Sequence, residues 1–367
     1  MSRQSVLVFA VMCLAFLAGN GSADTYSVTV LHPSGFNPSY AFGVSAGQQV
    51  GSAGGHAALW SGAAASYVDL HPSGFNPNQS VAWSVSGGQQ VGYAGTHALL
   101  WSGTAASYVD LHPSGFSQSY AYGVSGGQQV GCGYAPDVSG TGYSPHALLW
   151  SGTAASCVDL NPSGFSESYA QGVSGGQQVG HGGGSATGSS HQHALLWSGT
   201  AESYVDLNPS GFSDSSAQGV SGGQQVGFGY GPGMSGWHAL LWSGTADSYV
   251  DLNPSGFGGS FANAVSDGQQ VGYGYGPDVS GHALLWSGTP ASCIDLHSFL
   301  PPGYETSQAF GIDSAGNIVG RAWATGGGDA RAVLWEHQPN VVPVPGAAIL
   351  GAIGLSVAAS RLRRRTS

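Results

Sequence analysis

The sequence contains no lysine, and charge of either sign is scarce: 7% of its 367 residues are Asp, Glu, Lys or Arg. Of seven basic residues, Arg3 lies near the start and Arg361, Arg363, Arg364 and Arg365 near the end, so only Arg321 and Arg331 stand between them. All eighteen acids fall in that middle stretch, which carries about sixteen net negative charges. Such a surface repels phosphate backbones and anionic lipid, which excludes nucleic acid as a partner. The familiar catalytic signatures are missing as well: no Gly-x-Ser-x-Gly, no Cys-His pair and no metal-ligand spacing is found. A glycosidase would need two carboxylates held ~5–10 Å apart, which a propeller could bring together from different blades. Asp137 and Asp278 share a loop position but belong to distant repeats.

Glycine and aromatics are abundant instead. With 63 glycines, disorder has to be weighed, but ten tryptophans and short apolar segments recur in register, which indicates a folded body. The repeat is clearest from Ser119 to Leu160. Tyr120–Val124 reads as a strand, Ser125-Gly126-Gly127 as a tight hairpin turn and Gln128–Val130 as the returning strand. After a Gly/Pro/Ser loop, His146–Trp150 makes a third strand and Cys157–Leu160 a fourth. Asn161-Pro162-Ser163-Gly164-Phe165 then leads into the next copy, where proline has no N–H to continue the ladder.

Seven copies are counted by Gln48, Gln89, Gln128, Gln177, Gln224, Gln269 and Asn317, and seven by Trp60, Trp101, Trp150, Trp197, Trp242, Trp286 and Trp335. The fourth strand follows only six of them. The missing copy is Tyr26–Leu31, at the other end of the chain. This exchange, at spacings of about 40–50 residues, predicts an all-β seven-bladed propeller of four-stranded antiparallel blades, with the N-terminal strand closing the last. An open solenoid, the rival, needs no such exchange. On crowding grounds Ala121, Gly123 and Ser125 are expected at the axis and the Tyr-Val-Asp-Leu strand at the rim.

The motif Ala-x-Gly-Val-Ser-x-Gly-Gln-Gln-Val-Gly followed by His-Ala-Leu-Leu-Trp resembles the bacterial extracellular HAF repeat, over roughly Tyr26 to Trp335. Ala309–Gly320 matches most fully; the other six copies are one residue shorter in the hairpin turn. The resemblance implies an exported, propeller-like protein and carries no catalytic residues. At the start, residues 1–23 have one arginine, an apolar run from Val6 to Leu17 and a small-residue exit, the pattern of a signal peptide. That run is too short for a membrane span. Residues 24–340 form the propeller. In residues 341–367, Val342-Pro343-Val344-Pro345-Gly346, an apolar stretch and four arginines resemble a PEP-CTERM sorting signal, with valine where that family usually has glutamate. The resemblance implies an exosortase as partner; read from composition alone, the tail is a marginal transmembrane helix held by its arginines. Either way the expected location is the cell envelope or extracellular surface.

Cysteine adds little. Cys13 lies in the leader, and Cys157 and Cys293 take a position that other repeats give to tyrosine. Cys132 and Cys157 fall on strands two and four of one blade, about 9–10 Å apart and beyond disulfide reach, so an odd set of three leaves at least one thiol unpaired in the monomer.

Two sets of residues invite a functional reading. His146 with Asp159, His193 with Asp206, His238 with Asp251 and His282 with Asp295 share one face of adjacent strands. They are expected to be structural hydrogen-bonded pairs, because one histidine per blade around a ring does not converge on a metal. His181, His191 and His193 are the weak metal candidate. In the strand two–three loops, Tyr134, Asp137, Tyr230, Trp237, Tyr275 and Asp278 place flat apolar faces beside carboxylates, as sugar recognition does. The competing reading is that these aromatics pack over blade edges. The sequence thus leads to a non-enzymatic, monomeric, cofactor-free propeller binding exopolysaccharide or another envelope glycan through its loop face. A purely structural surface or matrix protein and a polysaccharide-cleaving enzyme are the alternatives.

Overall fold

Seven sheets, each of four antiparallel strands, stand around an axis as the blades of a β-propeller. The computed structural model describes residues 25–75, 79–137, 142–188, 190–277 and 279–338. The expected leader and sorting tail lie outside these residues. No helix among the described residues is long and apolar enough to cross a membrane. Ser27–His337 forms one compact unit; the chain ends, Met1–Tyr26 and Gln338–Ser367, form a second that lies almost wholly outside the described residues.

Blade three shows the pattern, with strands Ser119–Ser125, Gln128–Pro136, Tyr143–Trp150 and Val158–Asp159 running from the axis outward. The seventh sheet joins Tyr304–Ile312, Ile318–Ala324 and Ala330–Gln338 to Thr25–Val30 from the start of the chain. This exchange closes the ring and separates the propeller from the solenoid.

The core lies between blades. Val130, Ala147, Leu149 and Leu160 of blade three pack on Ala170, Val173, Leu195 and Trp197 of blade four, and the same set recurs around the ring. All seven repeat tryptophans are fully buried. Each buried large side chain contributes ~1.5–3 kcal/mol, and no blade buries its faces alone.

Polar side chains stitch the blades at the same level. His146 Nδ1 lies 2.7 Å from Asp159 Oδ2, and Asp159 Oδ1 accepts the N–H of Asn161. Ser168 of the next blade donates to Asn161 Oδ1 and accepts the N–H of Ala147. The pairs His193–Asp206, His238–Asp251 and His282–Asp295 sit at 2.7, 2.7 and 2.8 Å. Blades one and two add His56–Asp69 and His97–Asp110. Where the linker has histidine in place of Asn161, its ring stacks on the paired one, as His71 does on His56. The HPSGF and NPSGF connections therefore carry a blade-to-blade hydrogen-bond relay.

The second glutamine of each Gln-Gln-Val-Gly has an equally local task. Gln129 Oε1 accepts the N–H of Gly152 in the turn after Trp150, and its amide donates to Gly127. One motif thus ties two turns of the same blade together.

The innermost strand departs from the sequence expectation. Each contains a bulge, between Ala121 and Gly123 in blade three. Ala121 turns into the core between blades, while Tyr120 and Tyr122 keep part of their surface free. A bulge adds one residue to its strand and interrupts its alternation, so Ala121, expected at the axis on crowding grounds, faces the core between blades instead. Gly123 and Ser125 do line the axis.

Candidate functional site

An axial cavity of about 340 Å³ is lined by the innermost strand of every blade. Its composition changes around the ring. Phe310, Phe42, Trp83 and Tyr122, from blades seven, one, two and three, form an aromatic arc. Neighbouring ring centroids are 5.4, 4.4 and 6.2 Å apart. Gln171, Gln218 and Asn263, from blades four to six, supply an opposing arc of amides. Serines from the hairpin ends, among them Ser45, Ser125 and Ser221, fill the far end.

One tier nearer the loop face, strands one and two present a second belt. Tyr40 pairs with Ser52, Val81 with Tyr93, Tyr120 with Cys132 and Tyr169 with His181. Ser216 pairs with Phe228, Phe261 with Tyr273 and Gln308 with Arg321. Here the seven blades differ most, on a frame that otherwise repeats.

Arg321 is the one basic side chain of this belt. Its Nε and Nη2 both donate to Gln308 Oε1, at 3.0 and 2.7 Å. The guanidinium lies over Trp323, Phe310 and Tyr40, 4.4, 5.1 and 5.2 Å from the ring centroids. Burial pulls its pKa below the ordinary value, with the Tyr40 and Tyr273 hydroxyls opposing. A guanidinium stays charged through any such shift.

Across blades three and four the groups titrate differently. His181 Nδ1 lies 3.0 Å from Ser216 Oγ, which accepts from Gln218 Nε2, and the His181 ring stacks on Tyr169 at 4.9 Å. Burial lowers the His181 pKa from 6.5 to about 4, so the imidazole is neutral at pH 7. Burial also raises the phenols of Tyr122 and Tyr169, which keeps both protonated. The neutral His181 thus lies against the protonated Tyr169, while the Tyr122 hydroxyl lies 3.4 Å from Cys132 Sγ. Asp313 also lines the cavity, but its oxygens accept from Ala315, Asn317 and the Asn317 amide in the seventh hairpin turn.

The His181 shift has a measurable consequence. Its folded pKa lies below its ordinary one, so its contribution to stability is complete above about pH 6.5 and is lost as pH falls through about 4. The loss should be on the order of 3 kcal/mol. Burial lowers His71, His112 and His297 too, so the whole chain should weaken in acid. Melting His181→Gln beside the parent from pH 7.5 to 4 isolates the one group. A parallel pair of curves would show that His181 is not what titrates.

The loop residues singled out in the sequence do not form one repeated site. Tyr134 packs edge-on to Tyr120 and hydrogen-bonds Tyr169 of the next blade. Tyr230 is 41% exposed and leans on Trp237, which also packs edge-on to Phe228. Tyr275 stacks on Phe261, its hydroxyl over the backbone of Gly259. Three equivalent positions thus have three different surroundings. Asp137 donates its backbone N–H to the Gly142 carbonyl, a contact within its own loop. Asp278 lies outside the described residues. The belt below them was missed because its residues sit on strands that read as core, and only their variation between copies could have marked them.

The three histidines of the metal candidate also part company. His181 faces Ser216, His191 Nδ1 lies 3.2 Å from Asp214 and His193 bonds Asp206. Cys132, Cys157 and Cys293 are all unpaired, with thiols pushed up to about 12 by burial.

No protein-family model matches the chain, and no curated protein matches it. Solved structures do. A puromycin hydrolase superposes with a TM-score of 0.55 at 11% identity, over 86% of this chain and 56% of that one. A Mycobacterium tuberculosis puromycin-hydrolyzing peptidase gives 0.54 at 13%, over 84% and 57%. The chain thus spans little more than half the length of these two. An oligogalacturonate lyase in complex with manganese gives 0.53 at 9%, over 87% of this chain and 97% of that one. Manganese takes oxygen and nitrogen donors, and no three His, Cys, Asp or Glu side chains converge to hold an ion among the described residues. Identities this low establish a shared fold and leave activity to be argued from the site. The expectation of a non-enzymatic glycan-binding protein is corrected in one respect: these three solved propellers belong to enzymes. The missing motifs were poor evidence, since a propeller site draws one residue from each of several blades and leaves no contiguous signature.

Proposed function

We propose that the chain is a polysaccharide-cleaving enzyme whose substrate enters the axial channel from the strand two–three loop face. The observation that carries this is the division of the channel wall: Phe310, Phe42, Trp83 and Tyr122 on one arc, Gln171, Gln218 and Asn263 on the other. A sugar ring has flat C–H faces that stack on aromatics and an equator of hydroxyls that amides satisfy. In the belt one tier nearer the loop face, the neutral His181 is assigned as proton acceptor and Tyr169, stacked on it at 4.9 Å, as donor. The lyase likeness, which extends over 97% of that chain, supports the same reading. Export through the leader, and envelope sorting through the tail with an exosortase as partner, belong to this proposal as the route to an extracellular glycan.

The test is release of new chain ends from a panel of bacterial and plant polysaccharides, followed as reducing sugar and as absorbance of unsaturated products. His181→Gln should lower the rate by about 10²-fold or more, the size expected on losing a positioned proton acceptor. A folded parent protein that releases nothing from any member of the panel ends the proposal.

A further inference from the structure

Arg321 is out of place in the scaffold. The equivalent positions of the other blades hold Ser52, Tyr93, Cys132, His181, Phe228 and Tyr273, so the frame does not need a cation there. Burying a charge is costly unless a counter-charge or several hydrogen bonds offset it. Acids outnumber bases in this chain, yet every ion pair among the described residues joins a histidine to an aspartate, and none involves Arg321. Gln308 occupies one edge of the guanidinium through Nε and Nη2. The rings of Trp323, Phe310 and Tyr40 close over it and fix its plane. What remains is the Nη1/Nη2 edge, the N–H groups of Nη1 and the second N–H of Nη2, a planar pair of donors with no counter-charge beside the aromatic arc.

We infer that Arg321 is the anchor for a carboxylate of the ligand, so that the sugar taken into the channel is a uronic acid. The sugar part rests on the function proposed above; the anion part rests on Arg321 alone. A guanidinium meets a carboxylate in one plane with two parallel N–H···O bonds, which a hydrated lysine ammonium does not reproduce. A neutral sugar would leave the charge unpaired as its water is displaced, so the same group selects for acid and against neutral chains. The excess of acid on the surrounding surface slows entry of polyanions, and binding is therefore expected to depend on salt in two opposing ways.

Binding can be read without turnover, from the emission of Trp83 and Trp323 as a trimer of galacturonic acid or a trimer of galactose is added to the full chain. The acid trimer should bind at least tenfold more tightly, and Arg321→Gln should remove that preference while leaving the melting temperature unchanged. Arg321→Lys, which keeps the charge and loses the planar fork, should retain a small part of it and serves if the glutamine variant fails to fold. Equal affinity for the two trimers, or a preference that survives Arg321→Gln, overturns the inference. A sulfated galactose trimer binding more tightly than the acid also overturns it, since the anchor would then suit a tetrahedral anion. Acid-selective binding without any chain cleavage supports the anchor and removes the proposed activity, so the two fail separately.

Discussion

A chain that begins at His32 should melt roughly 10 °C below the parent and should self-associate. The strand Thr25–Val30 is the outer strand of the seventh blade, and its removal leaves Ala330–Gln338 with an unpaired edge. Leu31, fully buried among Ala41, Ala58, Trp60, Ala332 and Leu334, goes with it. Its N–H bonds the Ala332 carbonyl, and Thr29 donates to Glu336. Losing one such large side chain removes ~1.5–3 kcal/mol, and the hydrogen bonds of the strand add to that. An open, apolar edge of this length recruits strands from other chains. The measurement is a thermal melt together with sedimentation of the truncated chain. A monomer that melts like the parent would mean that the ring closes without its first strand.

The exchange behind that result was legible in the sequence because it is a matter of counting. Seven Trp-ended strands, six following strands and one orphan at the opposite terminus admit few arrangements. The His146–Asp159 spacing was legible for a similar reason, since two short strands joined by a tight turn leave little freedom of register. Its continuation to Asn161 and Ser168 was not, because a side chain in a linker shows no partner until the next blade is in place. The channel was hidden for a different cause. Ala121, Gly123 and Ser125 suggested a tightly filled axis, but the bulge beside Tyr122 reverses the alternation, so that Tyr122 lines the cavity and Ala121 the core. Bulges carry no residue signature in a strand already rich in glycine. Arg321 stood out in composition as one of two basic residues in the body, yet nothing in the linear sequence tied it to Trp323, Phe310 and Tyr40. The tyrosines of the loops were conspicuous for the opposite reason: repeated residues draw attention, whereas the site lies where the repeats disagree.

That bulge also sets the most demanding position in each blade, and it is a glycine. A Cβ added at Gly131 would fall 1.8 Å from the Tyr120 carbonyl oxygen and 2.9 Å from the Ala121 Cα. Both are backbone atoms of the neighbouring strand, so no rotamer change relieves the clash. The same contact recurs at Gly51, Gly92, Gly180, Gly227, Gly272 and Gly320, which accounts for the invariant last residue of the Gln-Gln-Val-Gly motif within this chain. Gly131→Ala should therefore force strands one and two apart and cost upwards of about 3 kcal/mol, the upper end of overpacking. Gly126→Ala is the matched control. Its φ is 58°, in the left-handed region, with nothing near the added Cβ. The equivalent turn residues Ala46 and Asp267 already hold that conformation at φ 49° and 45°, so this change should cost about 1 kcal/mol. Because Tyr120 and Tyr122 flank the displaced carbonyl, the first variant should also weaken whatever binds in the channel, and the second should not. Thermal melts of the two alanine variants decide the matter. Equal losses would show that the glycine of the motif is kept for its turn chemistry, and that the strands are not drawn together at Gly131 as described.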